Sequence, residues 1–300
     1  MYKLERILCP TDFSPSSLDA IRFGIYVAER LKGIITLLYV DGYFTTAPGY
    51  FMQNEHQRLE HRKVIEELAH RKFSEIIETL KLDNQHTNVL IRSGTPYIEI
   101  INEAETNGYS AVVLSTLGLG RSSPHLIGST AERVVRLIRT PIFTIASQSS
   151  NFIPQIKTIL CPTDFSEYGN YALPYAISIA RHYSAKLLLL HVADISFAHP
   201  ERLIDKFPDL QIYHDRAADV NTEKFIDKDI EPENAIVRLA QEYQADLIVM
   251  GTHGTRGMRR VQIGNTTEEV VRRVSIPVLT VTHPVHKVVF QSRFGEYIKQ

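Results

Sequence analysis

The chain has 300 residues, of which 44% are hydrophobic and 22% charged, and its formal net charge is −1 at pH 7. This composition is typical of a globular protein with room for two domains. The balanced charge argues against nucleic acid or an anionic membrane as a partner, and the sequence has neither a signal-peptide pattern nor an apolar run long enough to span a membrane, so we expect a cytoplasmic protein.

In the first half of the chain, short apolar runs alternate with segments whose apolar residues recur with the helical period. A strand is predicted at residues 6–9, and a helix at 14–32 is expected to end at Gly33. The next predicted elements, in chain order, are a strand at 34–40, a long amphipathic helix at 57–80, a strand at 88–94, a helix at 96–106, a strand at 111–116, a helix at 129–139 and a strand at 141–146.

The second half begins by repeating an octapeptide: ILCPTDFS occupies residues 7–14 and again 159–166, an offset of 152 (159 − 7). Further along, Pro96 corresponds to Pro232 at an offset of 136 (232 − 96). The second copy is therefore 16 residues shorter (152 − 136), with the deletion between Val192 and Pro232. A match in this order over so much of the chain indicates a duplicated domain.

We place domain 1 at residues 1–147, domain 2 at 156–283 and a C-terminal extension at 284–300. In domain 2, strands are predicted at 159–161, 186–192, 246–250 and 277–281, whereas residues 194–229 show no clear pattern and the long second helix is expected to be shortened. Short, continuously apolar strands separated by helices are typical of a parallel sheet covered on both faces. The predicted fold class is therefore α/β and doubly wound, once in each domain.

Ligands of an open parallel sheet bind beyond the carboxyl ends of its strands. Two loops of each domain lie there: PTDFS after the first strand, and a glycine-containing loop after the fourth. In domain 2 the second loop has the spacing G-x₂-G-x₉-G, formed by Gly251, Gly254 and Gly264, with Asn265 next in the chain. Domain 1 keeps the spacing with Ser115 at the first position.

The glycine loop is open to two interpretations. Glycines let backbone N–H groups approach an anion, and the N-terminus of the following helix favours negative charge, so the loop is typical of a phosphate site. Alternatively, the spacing from Ser129 to Glu132, and from Asn265 to Glu268, fits a capping box of that helix. The capping box accounts for Ser129 and Asn265 but not for the two preceding glycine positions.

Asp12 and Asp164, within the repeated octapeptide, also have two readings. The carboxylate could accept hydrogen bonds from a ribose hydroxyl or an adenine amine, or help to hold Mg²⁺. It could instead cap the next helix. We favour the ligand role because Ser14 and Ser166 are available as caps.

Taken together, a strand ending in PTDFS, the G-x₂-G-x₉-G spacing before a helix, and a last strand of the form P-[IV]-x-[TV]-[IV], in this order in both copies, resemble the universal stress protein family. The resemblance covers the whole chain as a tandem pair. It implies for each domain a five-stranded parallel sheet of the adenine nucleotide α-hydrolase-like, Rossmann-like kind, with ATP, or ADP or AMP, at the strand ends and Mg²⁺ as a further partner.

The resemblance also implies the site residues. In domain 2 these are Pro162, Thr163, Asp164, Val192, Met250, Gly251, His253, Gly254, Gly264, Asn265 and Thr266. A second nucleotide site in domain 1 would consist of Pro10, Thr11, Asp12, Val40, Ser115, Gly118, Gly128, Ser129 and Thr130. No residue is assigned to catalysis or to a dedicated metal site.

We expect a regulatory stress-response protein that binds adenine nucleotide mainly through domain 2, because Ser115 adds a side chain where backbone must meet the phosphates. The alternatives are a nucleotide-free interaction or small-ligand scaffold, and a slow ATPase or autophosphorylating protein. The last strands, at 141–146 and 277–281, would be exposed sheet edges. We expect them to pair with each other within the chain in a pseudo-twofold arrangement, with a homodimer as a further form of self-association.

Overall fold

The computed structural model describes residues 4–42, 55–83, 85–118, 127–146, 153–254 and 263–284. The strands of domain 1 are β1 (Arg6–Thr11), β2 (Ile34–Asp41), β3 (Thr87–Ser93), β4 (Ala111–Ser115) and β5 (Ile142–Ile145). Its helices are α1 (Pro15–Leu31), α2 (Glu55–Thr79), α3 (Pro96–Thr106) and α4 (Ser129–Leu137). Within this described part of the chain, every helix is too short or too polar to cross a membrane.

Domain 2 repeats this order with one region rebuilt. Its strands are β6 (Thr158–Pro162), β7 (Lys186–Ala193), β8 (Thr222–Lys228), β9 (Leu247–Gly251) and β10 (Val278–Val281), and its helices are α5 (Glu167–Asn170), α6 (Leu173–Tyr183), α7 (Pro232–Glu242) and α8 (Asn265–Arg273). Where domain 1 has the long helix α2, domain 2 has three short 3-10 helices, Pro200–Lys206, Leu210–Ile212 and Ala217–Asp219. The expected shortened helix is thus replaced by these three 3-10 helices.

The strands form one ten-stranded sheet in the order β3-β2-β1-β4-β5-β10-β9-β6-β7-β8. Neighbouring strands are parallel within each domain, and only the central pair, β5 and β10, is antiparallel, with Phe143 opposite Leu279. This pairing confirms that the last strands of the two domains close each other's open edges. The ten strands therefore form one sheet with two hydrophobic core clusters, and each cluster contains residues of both domains.

Local sequence explains the limits of α1. The side chain of Ser14 caps the helix by accepting a hydrogen bond from the N–H of Ser17 at 3.2 Å, and Pro15 occupies the first turn. The helix ends because Lys32 turns into the left-handed region at φ 54°. Gly33, the expected stop, has another role: a Cβ there would lie 2.9 Å from the carbonyl oxygen of Glu5.

The domains also pack through α1 and α6 on one face of the sheet. Tyr26 and Tyr183 bring their rings within 5.1 Å, and the hydroxyl of Tyr183 donates to the carbonyl of Tyr26 at 3.2 Å. Arg30 Nε donates to the carbonyl of His182 at 2.8 Å. Beneath them, Phe23 and Phe143 are fully buried with ring centroids 5.4 Å apart.

On the other face, α4 and α8 meet through a reciprocal set of ion pairs. Arg136 lies 2.7 Å from Glu268, and Arg272, its counterpart at an offset of 136 (272 − 136), lies 3.8 Å from Glu132. Each arginine thus contacts the glutamate of the other domain, and the two contacts are exchanged by the repeat. Such reciprocal contacts are typical of a twofold relation. The predicted pseudo-twofold pairing is therefore visible in side chains as well as in strands.

Candidate functional site

The turn after β1 is held by its own side chains. Thr11 Oγ1 accepts a hydrogen bond from the N–H of Phe13 at 2.9 Å, and Asp12 Oδ1 accepts one from the N–H of Ser14 at 3.0 Å. Phe13 adopts a left-handed backbone at φ 62°, a conformation that costs a side-chain-bearing residue about 1–2 kcal/mol. Its ring packs on Tyr39 with centroids 4.9 Å apart, which offsets that cost.

Domain 2 builds the same turn. Thr163 Oγ1 accepts from the N–H of Phe165 at 2.9 Å, Asp164 Oδ1 accepts from the N–H of Ser166 at 3.1 Å, and Phe165 has φ 64°. The repeated PTDFS thus encodes a strand-to-helix turn of fixed geometry. In both domains the serine of the motif is the N-cap residue, so the reading in which the aspartate caps the helix is wrong. The aspartate is instead held at the carboxyl end of its strand by the turn.

The glycine loop of domain 1 ends at the start of α4. Gly128, not Ser129, is the N-cap residue, at φ −64° and ψ 146°, and it offers no side-chain acceptor to the first turn. Its N–H donates to the carbonyl of Thr116 at 2.7 Å. The capping-box reading is therefore wrong, since Ser129 is already helical and Glu132 pairs with Arg136 at 3.2 Å. The positive end of α4 faces the loop without a side-chain cap.

The domain 2 loop has the same geometry. Gly264 is the N-cap residue of α8, again without a side-chain hydrogen bond to the first turn, and its N–H donates to Thr252 at 2.7 Å. Asn265 is therefore the first helical residue rather than the cap. Glu268, the other member of the predicted box, lies 2.7 Å from Arg136 and from Arg272. Both glutamates of the predicted capping boxes therefore pair with arginines of α4 and α8.

In domain 1 these parts enclose a cavity of about 280 Å³ at the carboxyl ends of the strands. It is lined by Pro10, Thr11, Asp12, Ser17, Leu38, Val40, Pro96, Ile100, Leu114, Ser115, Thr116, Leu117, Gly118, Gly128, Ser129, Thr130 and Ala131. All nine residues assigned to domain 1 from the sequence lie on this wall. The structure thus brings together positions that are up to 120 residues apart in the chain (130 − 10).

Sequence reasoning missed the apolar part of the wall. Leu38 lies two residues before Val40 in β2 and therefore on the same face, while Ile100 comes from α3. The strand periodicity could have identified Leu38, but no short motif marks Ile100. The cavity consequently has an apolar side, suited to a flat ring, and a polar end formed by Asp12 and the start of α4.

Ser115 does not obstruct this cavity. Its hydroxyl donates to the carbonyl of Leu117 at 2.7 Å and accepts from the N–H of the same residue at 3.2 Å. The side chain is 5% exposed, so the hydroxyl is turned back onto the loop that it stabilises. The sequence alone could not distinguish this inward bond from a side chain that projects at a ligand.

Gly251, the domain 2 counterpart of Ser115, is required by packing. A Cβ at Gly251 would lie 2.8 Å from the carbonyl oxygen of Tyr168 and 3.3 Å from the Cα of Gly169. The short helix α5 therefore presses directly on the end of β9. This glycine has a structural reason that is independent of any ligand, which weakens the argument that it marks the better phosphate site.

Other sequence-assigned residues of domain 2 have close neighbours within the same domain. The Asp164 carboxylate lies between Gly169 and Gly254, and a Cβ added at either glycine would meet its oxygens. Thr266 donates its hydroxyl to Glu233 Oε2 at 3.2 Å. His253 is 6% exposed, and its Nδ1 lies 2.9 Å from Thr252 Oγ1.

The remaining three assigned residues of domain 2 belong to strands: Pro162 ends β6, Val192 lies in β7 and Met250 in β9. Met250 is 5% exposed and belongs to the apolar core on the α7 and α8 side of the sheet. Val192 packs against the same core. These residues hold the strand ends together, as their counterparts do in domain 1.

Two ionisable groups near the domain 1 cavity have shifted pKa values. Burial raises the pKa of Tyr39, and the nearby charges of Asp41 and Asp12 raise it further. Burial also raises the pKa of Glu99, although Arg92 opposes this. The Tyr39 phenol therefore stays neutral at physiological pH and adds no charge near Asp12.

Residues 3–145 and 155–282 match the model of the universal stress protein family. The chain belongs to the universal stress protein family. Its fold and its two consecutive domains are those of tandem universal stress proteins, and each matched stretch contains one complete set of the loops described above.

Individual relatives agree with this membership. Universal stress protein Slr1230 of Synechocystis is 23% identical over 303 residues, which covers 92% of this chain and 99% of that protein. Universal stress protein MJ0531 of Methanocaldococcus jannaschii is 30% identical over 141 residues, covering 43% of this chain and 83% of that protein. Among solved structures, a universal stress protein from Archaeoglobus fulgidus covers 92% of this chain and 98% of its own, at 22% identity and a TM-score of 0.66. This last likeness concerns the fold.

Proposed function

We propose that this universal stress protein binds an adenine nucleotide, preferentially ATP, in the domain 1 cavity. It would act in the cytoplasm as a regulatory protein whose state depends on that ligand. Members of the family bind adenine nucleotides. The observation that carries the proposal is the cavity of about 280 Å³ lined by all nine domain 1 positions of the family motifs. The proposal therefore assigns the nucleotide to domain 1, whereas the number of glycines in the loop alone favours domain 2.

The wall supports a division of roles. The adenine ring would lie against Leu38 and Val40, whose side chains share one face of β2. The Asp12 carboxylate, held by the PTDFS turn, would accept a hydrogen bond from a ribose hydroxyl or the adenine amine. Phosphate would meet the backbone N–H groups of Ser129 and Thr130, where the helix dipole favours negative charge. ADP and AMP would use the same wall with fewer phosphate contacts.

A Mg²⁺ ion fits the site only if the phosphates of the nucleotide supply most of its ligands. Among the described residues, no group of three or more His, Cys, Asp or Glu side chains could hold a metal ion. Mg²⁺ prefers oxygen ligands and is commonly held by one or two carboxylates together with phosphates. Asp12 is the carboxylate on the cavity wall that could contribute such a ligand.

The proposal can be tested by isothermal titration calorimetry of Mg-ATP into the unmodified chain and into two valine variants. We expect one ATP per chain, lost in Gly118→Val and retained in Gly254→Val. The Cβ of residue 118 would lie 2.9 Å from Asp12 Oδ2, so valine displaces the carboxylate from the wall of the site. Gly254→Val makes the corresponding change beside Asp164 in domain 2 and is the matched control.

Thermal unfolding of each variant without ligand shows whether it is folded. With ATP at about 100 times its Kd, the unmodified chain and Gly254→Val should gain roughly 2.7 kcal/mol of stability from ligand binding. If Gly254→Val abolishes binding and Gly118→Val retains it, the nucleotide belongs to domain 2. If the unmodified chain takes up no adenine nucleotide, the chain is a nucleotide-free scaffold.

A further inference from the structure

Two positions beside the helix ends carry different charges in the two domains. At the offset of 136, Tyr97 corresponds to Glu233 (233 − 97) and Arg133 corresponds to Glu269 (269 − 133). Domain 1 therefore has one positive charge at this pair of positions, and domain 2 has two negative charges. In domain 1 the side chains of Tyr97 and Arg133 meet beside Pro96 of the cavity wall, and the repeat assigns Glu233 and Glu269 to the equivalent positions of domain 2.

Glu233 is placed to act directly on that end. It lies in the first turn of α7, and its Oε2 accepts a hydrogen bond from Thr266 Oγ1 at 3.2 Å. Thr266 is the second residue of α8, two positions beyond the N-cap Gly264. The Glu233 carboxylate therefore already occupies the hydroxyl donor of Thr266 in the first turn of α8, and it brings negative charge to the helix end that a phosphate would need.

In the described part of domain 1, the position equivalent to Glu233 is occupied by the uncharged Tyr97. Tyr97 lies under the guanidinium of Arg133, whose central carbon is 5.0 Å from the ring centroid, so this corner is positively charged. The first turn of α3 does contain one acid, Glu99, but it points elsewhere: its Oε1 lies 2.6 Å from where a Cβ of Gly94 would be, at the end of β3. The residue of α7 that corresponds to Glu99 is Ala235.

We propose that Glu233 and Glu269 exclude phosphate from the domain 2 crevice, so that charge at these two positions decides which domain takes the nucleotide. This inference rests on the proposed function. Between effective dielectric constants of about 80 and about 20, a unit charge roughly 7 Å from a phosphate charge changes affinity by about 3-fold to about 55-fold, and we take about tenfold for each glutamate. Neutralising both glutamates should therefore improve ATP affinity of domain 2 by about 100-fold at low salt, and less at high salt because of screening.

The loop of domain 2 also contains three arginines, Arg256, Arg259 and Arg260, outside the described residues. None of the variants below changes these arginines, so the experiment measures the effect of the glutamates on ATP affinity while the arginines are present.

The test uses the full chain carrying Gly118→Val, which disables domain 1, and Mg-ATP as the probe. We expect the added pair Glu233→Gln and Glu269→Gln, which keeps side-chain shape, to create binding at least tenfold tighter than in the Gly118→Val chain. The matched control is Glu223→Gln with Glu242→Gln. It makes the same change in net charge at the start of β8 and the last residue of α7, and should leave binding unchanged.

The reciprocal variant, Tyr97→Glu with Arg133→Glu in the otherwise unmodified chain, should weaken ATP binding at least tenfold while the melting temperature stays within a few degrees. The inference is overturned if the Gly118→Val chain already binds ATP as tightly as the unmodified chain. It is also overturned if the glutamine pair gains nothing, or no more than its control, in a folded chain. Absence of ATP binding to the unmodified chain would instead refute the proposed function, which separates the two failures.

Discussion

Replacing Gly251 with alanine should destabilise the chain although alanine is the smallest possible addition. The new Cβ would lie 2.8 Å from the carbonyl oxygen of Tyr168, 3.3 Å from the Cα of Gly169 and 3.3 Å from the carbonyl oxygen of His253. All three neighbours are backbone atoms, so no side chain can turn away to make room. Either α5 or the end of β9 must move.

The size of the effect follows from these distances. Ordinary contact begins near 3.4 Å, so the Tyr168 carbonyl must retreat by about 0.6 Å (3.4 − 2.8). Overpacking of this kind typically costs about 1–3 kcal/mol. The lower entropy of the unfolded alanine chain returns only about 0.4–1 kcal/mol. A net loss of roughly 1–2 kcal/mol should remain after this gain.

Urea denaturation followed by circular dichroism measures this loss, with Gly42→Ala as control. The nearest atom to a Cβ at Gly42 is Pro96 Cγ at 3.4 Å, an ordinary contact, so its unfolding free energy should change by no more than about 0.5 kcal/mol. If Gly251→Ala is as stable as the unmodified chain, packing does not explain this glycine, and its interpretation as a ligand-binding residue regains its force.

Three further outcomes are expected. Phe143→Ala removes a fully buried ring at the junction of β5 and β10 and should cost about 3–5 kcal/mol in urea titration, whereas a loss under 1 kcal/mol would mean that the junction is not a tightly packed core. Burial raises the pKa of Glu268, but hydrogen bonds from Arg136 and Arg272 outweigh burial and hold the pKa below its ordinary 4.5. The ion pairs therefore stabilise the folded chain above pH 4.5, and this stabilisation is lost as the pH falls through the lower pKa of the folded state. Glu268→Gln should therefore flatten the fall in stability as the pH is lowered below 4.5, and an unchanged profile would contradict the ion-pair assignment. Burial raises the pKa of Cys161 to about 12 and that of Cys9 still higher, so a maleimide at pH 8 should label both thiols only at the rate of unfolding; rapid labelling of the folded chain would show that they are accessible.

Much of the fold could be predicted because the strands are apolar and the helices periodic. The helix predicted at 96–106 is α3, Pro96–Thr106, since Pro96 fixes its first turn. The strand β8 escaped prediction because its sequence, TEKFIDK, is mostly charged or polar. It lies at the sheet edge, where charged side chains protect the open backbone from further pairing. A pattern search for apolar runs cannot find such a strand.

The site was only partly predictable. Family motifs identified the loops, and those positions of domain 1 line one cavity. The sequence could not show that the Ser115 hydroxyl bonds back to Leu117, nor that Gly251 is needed by Tyr168, because both depend on tertiary contacts. The number of glycines favoured domain 2, but the extra glycine, Gly251, is explained by its packing against Tyr168. The charge at Glu233 was present in the sequence, but its effect on the end of α8 became apparent only from its contact with Thr266.

The central claim, an adenine nucleotide in domain 1, is tested most directly by a crystal structure of the full chain grown with a non-hydrolysable ATP analogue. The account predicts density for one nucleotide per chain, with adenine against Val40, Asp12 at the ribose or the adenine amine, and phosphate on the backbone N–H groups of Ser129 and Thr130. Density in the domain 2 crevice with an empty domain 1, or no nucleotide in either domain at saturating analogue, would contradict it.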